Sequence, residues 1–377
     1  MLAERIEMME LPPFRLERFF AAREFVAPFN LCASDVESMS IGDLLQLEEG
    51  AEEKYKNHWL GYTETLGAPG LRVEIAKLYT KISADQVLVE AGGEEVIFTF
   101  MNAVLRPGDH VIVHYPCYQS LHQIASGIGC EVTRWEARAE SSWKLDLDFL
   151  RNAIKESTRL VVINVPHNPT GFQMTQTEWR EFIEIASARE LLVYSDEAYR
   201  GSEYEDVDRL PAACDLYEGA SSLGLMSKGY GLPGLRLGWL ATRNADILAK
   251  ISRFKDYTTI CSSAPSEFLA ELALRHGEQL LERGREIVTA NLELLRSFFA
   301  RHTDCFRWVP PLASPVTFPT LTDGKDVDSF CADLLEAEGV LLLPGTVFSE
   351  TSHEFRMGMG RRNMPEALTR FEQFLAR

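Results

Sequence analysis

The sequence predicts an α/β protein: a large domain with a mostly parallel sheet covered by helices, joined to a smaller α+β domain. Three observations point there. Between residues 86 and 241, apolar strand-like runs alternate with helix-like segments, the order that builds a parallel sheet. Several of these runs, 160–165 above all, are apolar without alternation, as in strands buried on both faces. After about residue 264 the pattern changes to long helical periodicity followed by short strands.

In chain order, 14–25 reads as a short amphipathic helix containing Glu17, followed by a small-residue turn at 30–35. A helix-like, acid-rich stretch covers 43–56, and Gly61, Gly67 and Gly70 break the pattern before a helix at 71–80. Strands are then expected at 86–91, 110–114, 131–136, 160–165, 191–195, 223–226 and 235–241. Helices are expected between them at 94–105, 117–125, 147–155 and 177–189. Beyond these, helices at 265–274 and 278–300 precede short strands at 306–309, 316–321, 340–343 and 355–358, with helices at 327–336 and 365–375. The helix at 278–300 is long enough to bridge domains. The division expected is a large domain over 41–263 and a small one made of 1–40 with 264–377.

Composition narrows the function classes. At 377 residues the chain can bury a full core, and 46% hydrophobic with 25% charged residues is ordinary for a globular protein. A net charge of -18 argues against broad contact with nucleic acid or an anionic membrane. No charge-free apolar stretch has the length of a membrane span, and residues 1–13 lack the basic start and apolar centre of a signal peptide. The seven cysteines are scattered, with no C-x-x-C pair and no zinc spacing, so they read as buried thiols of a reducing, cytoplasmic compartment, and no metal site is expected.

Ligands of parallel sheets bind beyond the carboxyl ends of the strands, so the residues there carry the chemistry. Gly92 and Gly93 open a helix with Glu94 behind them, a place where free backbone amides can meet a phosphate, although such a pair can also be only a turn. Asn168 lies between Pro166 and Pro169, which hold its amide rigidly; His167 reads as a loop histidine. Asp196 and Tyr199 end the next strand, where an acid can pair with a ring nitrogen and a phenol can donate to a ring oxygen. Lys228 sits between an apolar run and a turn rich in Gly and Pro, with Ser227 before it and Arg236 after it. An amine in such a place is suited to nucleophilic and Schiff-base chemistry, and an arginine to a phosphate. Taken alone, the stretch reads first as a surface Lys and Arg flanking a loop.

The order of these pieces resembles one family. Asn168-Pro169-Thr170-Gly171, Asp196-Glu197-Ala198-Tyr199 and the run from Ser227 to Arg236 are similar to the fold-type I pyridoxal-phosphate enzymes, specifically the class I/II aminotransferases with their aspartate aminotransferase-like fold. The resemblance implies pyridoxal 5'-phosphate as cofactor, with Lys228 forming the internal aldimine and then shuttling a proton. It implies that Asp196 pairs with the pyridine nitrogen, that Asn168 and Tyr199 bond the ring oxygen, and that Tyr118 stacks on the ring. Gly92, Gly93, Glu94 (through backbone amides), Ser227 and Arg236 would hold the phosphate. Tyr62 matches the tyrosine that family members send across a homodimer interface, and Arg356 the arginine that grips the substrate α-carboxylate, with Arg361 and Arg362 close behind it. Two departures stand out: Leu225 where many members have Ser or Thr, and Cys32-Ala33-Ser34 where many have a glycine.

The reading preferred is transamination between an α-amino acid and a 2-oxo acid, favoured by Tyr199 and an otherwise ordinary cofactor shell. The alternative is elimination with cyclisation of an arginine-derived amino acid, since capreomycidine synthase and related cyclases share general features with this chain. In that case Glu17 would meet a guanidinium; otherwise it is a solvated helix acid. A non-catalytic sensing domain on the same fold is the third class, and no basic DNA-binding extension accompanies the sequence.

Overall fold

The structure, a computed structural model, describes residues 9–377. The expectations that touch residues 1–8, the start of the small domain and most of the N-terminal segment, lie outside the described residues.

Seven strands form the central sheet: β1 (Val87–Glu90), β2 (His110–Tyr115), β3 (Glu131–Glu136), β4 (Thr158–Asn164), β5 (Leu192–Asp196), β6 (Ala220–Leu225) and β7 (Gly238–Thr242). Their order across the sheet is β1-β7-β6-β5-β4-β2-β3, and all neighbours pair in parallel except β7, which is antiparallel to both β1 and β6. Strands β2, β5, β6 and β7 inside the sheet are buried along their whole length, and β4 is buried except at Arg159, so they need no polar alternation. The edge strand β3 buries only Trp135 and leaves Glu131, Arg134 and Glu136 exposed.

Helices Gly93–Val104, Ser120–Ile128 and Gln176–Ala188 cover the sheet. The last begins with a capping box, in which Thr175 accepts from the Glu178 amide while Glu178 accepts from that of Thr175. Trp179 and Phe182 stack at 5.3 Å beneath it. Helix Ala264–Arg275 packs with helices Pro69–Ala76 and Ile41–Leu45 in one apolar cluster. Helix Gly277–Arg301 does connect two cores: Leu280 lies with Tyr230 and Leu237, whereas Leu292, Leu295 and Phe298 lie with Phe330, Phe355 and Phe371.

Several sequence expectations are corrected. The helix expected at 43–56 is two, Ile41–Leu45 and Ala51–Lys56, because Gly50 turns the chain at φ 75°. The first helix ends at Ala21 rather than 25. The expected strand at 316–321 divides into Val316–Thr317, paired with Phe355–Gly358, and Thr320–Leu321, paired with Phe306–Arg307. Helix Ala245–Lys255 was not foreseen, although Asn244 accepts the Ile247 amide as its N-cap. Its mixed composition carries a clear apolar face only at Ile247 and Ile251.

Candidate active site

The carboxyl ends of β4, β5 and β6, the start of helix Gly93–Val104 and the strand Phe355–Gly358 surround a cavity of about 490 Å³. Glu17, Gly93, Glu94, Tyr118, Asn168, Asp196, Tyr199, Ser227, Lys228, Arg236 and Arg356 all line it. Gly92 and Tyr62 do not line it: Gly92 lies against Arg236, which does, and Tyr62 is 86% exposed at the surface.

At one end of the cavity the backbone is shaped for an anion. Gly92 has φ 91°, and a methyl group there would come within 2.8 Å of Arg236 Nη2. A methyl on Gly93 would meet Leu225 Cδ2 at 2.7 Å. No side chain caps the helix that begins at Gly93, so its first amides are available to a ligand. Gly238 lets β7 pass directly behind: a Cβ there would lie 2.9 Å from the Gly92 carbonyl carbon. Leu225 therefore supplies an apolar wall, the departure that the sequence already marked.

In the middle, Lys228 Nζ donates to Ser34 Oγ at 2.7 Å and lies 5.9 Å from the centre of the Tyr199 ring. Burial raises the Asp196 carboxyl to about 6, against the Ala198 amide, which donates to Oδ1 at 3.1 Å, and the charge of Lys228. The Tyr199 hydroxyl is buried without a partner among the described residues. Asn164, at the end of β4, ties two of these groups together: its Nδ2 donates to the Asp196 carbonyl at 2.9 Å and its Oδ1 accepts the Asn168 amide at 2.7 Å. Sequence reasoning missed Asn164 and Ser34; the strand-end rule applied one residue earlier would have found the first.

At the other end, Arg356 is buried, donating through Nη1 to Asn168 Oδ1 at 3.0 Å and through Nη2 to the Cys32 carbonyl at 2.7 Å. Its Nε has no partner among the described residues. Arg361 pairs with Asp35 at 2.9 Å and Arg362 lies 3.7 Å from Glu37, so neither lines the cavity as Arg356 does. Tyr118 donates to Glu17 Oε1 at 3.4 Å, and burial raises the Glu94 carboxyl although Ser120 donates to it at 2.5 Å. His167 lies in a loop, as expected, but is fully buried there, stacked on His114 at 3.6 Å and bonded to Thr170 and the Pro116 carbonyl. Burial pushes both imidazoles well down, so both are neutral supports of the wall.

A family model described as aminotransferase class I and II matches residues 28–371. The chain belongs to that family. Among curated relatives, capreomycidine synthase of Streptomyces vinaceus is 29% identical over 352 residues, covering 93% of this chain and 89% of the relative. An aspartate aminotransferase of Bacillus sp. (strain YM-2) is 25% identical over 342 residues, 87% of each chain. Among solved structures, a PLP-dependent aminotransferase from Streptococcus suis superposes with a TM-score of 0.92 at 30% identity over 98% of both chains. The PLP-dependent cyclase OrfR superposes with a TM-score of 0.89 at 28% identity over 99% of both.

Pyridoxal 5'-phosphate is the cofactor of this aminotransferase family, and the residues present fit it. The uncapped glycine helix start under Arg236 suits the phosphate, the buried Asp196 carboxylate suits a ring nitrogen, and the unpartnered Tyr199 hydroxyl suits a ring oxygen. Lys228 offers the amine on the same cavity wall.

Proposed function

We propose that this enzyme is an aminotransferase that moves an amino group between an α-amino acid and a 2-oxo acid. The observation that carries the reading is one cavity with Lys228 between an anion cradle at Gly92-Gly93 and a buried arginine, Arg356, whose Nε has no partner among the described residues. When bound, pyridoxal phosphate supplies an electron sink for negative charge developing at the substrate α carbon. Arg356 binds the substrate carboxylate, and Asn168 and Cys32 hold the guanidinium in place. Lys228 Nζ moves the proton at the α carbon, and Ser34 orients the amine between transfers. Asp196 stays ionised beside a ring cation and keeps that proton in place. Incubation of the cofactor-loaded enzyme with single amino acids should bleach the pyridoxal absorbance and release the matching 2-oxo acid; absence of both with every amino acid tested would reject transamination.

A second reading is elimination with cyclisation of an arginine-derived amino acid, the class suggested by the capreomycidine synthase relative. Glu17 and Glu24 line the cavity, and neither forms an ion pair among the described residues, which supports a cationic substrate group near them. Such an enzyme would consume an arginine derivative with no 2-oxo acid present, and Glu17→Gln would raise its KM.

The assembly proposed is a homodimer in which Tyr62 reaches the neighbouring site. Trp59, Leu60, Tyr62, Tyr257 and Ile260 are all exposed apolar groups, which supports a buried interface. Sedimentation of the loaded enzyme as a monomer at micromolar concentration would reject it. The cysteines are all free, which supports a reducing, cytoplasmic setting, and no helix among the described residues is long and apolar enough to cross a membrane.

A further inference from the structure

Behind the glycine cradle lies a set of buried polar groups that the reaction does not use. Lys255, the last residue of helix Ala245–Lys255, is wholly buried, and its ammonium donates to the Thr65 carbonyl at 2.5 Å and the Val89 carbonyl at 2.6 Å. Burying an ammonium costs several kcal/mol unless its surroundings compensate. Here Glu90, Glu95 and Glu267 each favour the charged form against that burial. Glu95, on the first turn of the cradle helix, accepts the Ala91 amide at 2.6 Å and the Thr258 hydroxyl at 2.6 Å.

These bonds join three separate segments. Thr65 belongs to the loop that carries Tyr62; Val89 to Ala91 lead straight into Gly92; and Thr258 lies in the exposed turn after Lys255. The glycines at 92 and 93 have no side chains with which to hold their own conformation, and Gly92 adopts a φ of 91°. Their geometry is therefore imposed from both sides, by Lys255 on the incoming strand and by Glu95 on the outgoing helix.

We infer that Lys255 and Glu95 are positioning residues that set the phosphate cradle and tie it to the Tyr62 loop. Neither lines the cavity, so both act through the backbone of 89–93. The inference rests on the cofactor phosphate lying at Gly92 and Gly93, and the test separates the two ideas.

The test compares binding of pyridoxal phosphate with binding of pyridoxal, which lacks the phosphate, by quenching of protein fluorescence. The proteins are full-length wild type, Glu95→Gln and Lys255→Met. Wild type should prefer pyridoxal phosphate strongly. Glu95→Gln, which keeps shape but replaces the charged acceptor of the Ala91 amide by a neutral one, should lose about fivefold or more of that preference, the difference between a hydrogen bond to a charged and to a neutral acceptor. Its affinity for pyridoxal should not move, and the 31P resonance of the bound cofactor should shift. Lys255→Met should do the same more strongly, and if it fails to fold, Glu95→Gln decides. A wild type that binds both compounds alike overturns the cradle reading. A wild type that prefers the phosphate with a Glu95→Gln that keeps the full preference, or that weakens both compounds equally, overturns the positioning role.

Discussion

Arg356 Nη1 donates to Asn168 Oδ1 at 3.0 Å, joining residues 188 apart in the chain. An arginine has donors only, so the asparagine must turn its oxygen toward it and present Nδ2 as a donor elsewhere. The strand Phe355–Gly358 thus dictates which end of the Asn168 side-chain amide is available to a ligand. The Asn168 backbone amide is in turn held by Asn164, and Arg356 is held by the Cys32 carbonyl, so one hydrogen-bonded chain runs across the cavity wall from Arg356 through Asn168 and Asn164 to the Asp196 carbonyl.

Arg356→Ala should therefore lower kcat/KM by about 100-fold or more, the cost of an unpaired carboxylate in a buried site, while cofactor affinity changes little. Arg356→Lys should recover only a minor part, because a lysine cannot reach both Asn168 and Cys32 in the fixed fork of a guanidinium. Steady-state kinetics beside a cofactor titration check both; equal loss in the two measurements would contradict the separation of the ends.

Gly93→Ala should weaken cofactor binding by roughly tenfold or more, since its methyl group would overlap Leu225 Cδ2 at 2.7 Å. Adding Leu225→Ala should return much of the lost affinity. If the double variant binds no better than Gly93→Ala, the crowding at Leu225 is not the cause.

The Asp196 carboxyl is raised by burial from 3.8 to about 6. A raised acid stabilises the folded chain while protonated; that contribution is complete below pH 3.8 and is lost as pH climbs through about 6. In the cofactor-free chain the difference amounts to roughly 3 kcal/mol at pH 8. Asp196→Asn should then unfold at a higher temperature than wild type at pH 8, with the gap shrinking to about half near pH 5. An equal gap at both values would contradict the effect of burial. In the loaded enzyme the same variant should lose about 100-fold or more in kcat, because a neutral amide cannot hold the ring proton.

Borohydride treatment of the loaded enzyme should trap the pyridoxyl group on Lys228 and nowhere else, as read by peptide mapping. Lys228→Ala should bind the cofactor reversibly and leave no trapped label. Label on Lys255, the fully buried lysine behind the cradle, would reverse the assignment of the two amines.

Much of the fold was legible because the physics was local. Apolar runs marked β4, β5 and β6, and each lies inside the sheet. The antiparallel direction of β7 was not legible, since the turn from Ser227 to Leu237 reads the same whichever way the next strand runs. Helix Ala245–Lys255 escaped because its apolar face is short and its most consequential residue is a buried lysine, a type that patterning places on the surface. The split at Gly50 escaped for a similar reason: the acids on either side keep a helical spacing that one left-handed glycine interrupts.

By itself the sequence determined the order of chemistry along the strand ends: glycines, Asn168, Asp196 with Tyr199, then Lys228 and Arg236. Residue type and strand position suffice for that, because a parallel sheet gathers its carboxyl ends at one edge. Strand placement already preferred Arg356 to Arg361 and Arg362, and what only the tertiary structure adds is that Asp35 and Glu37 lie against the latter two. It also decided that Ser34 holds Lys228, that Asn164 holds Asn168 and Asp196, and that Lys255 and Glu95 brace the cradle. Each is a contact between residues far apart in the chain, and the distance between such residues is set by packing, which no local pattern encodes.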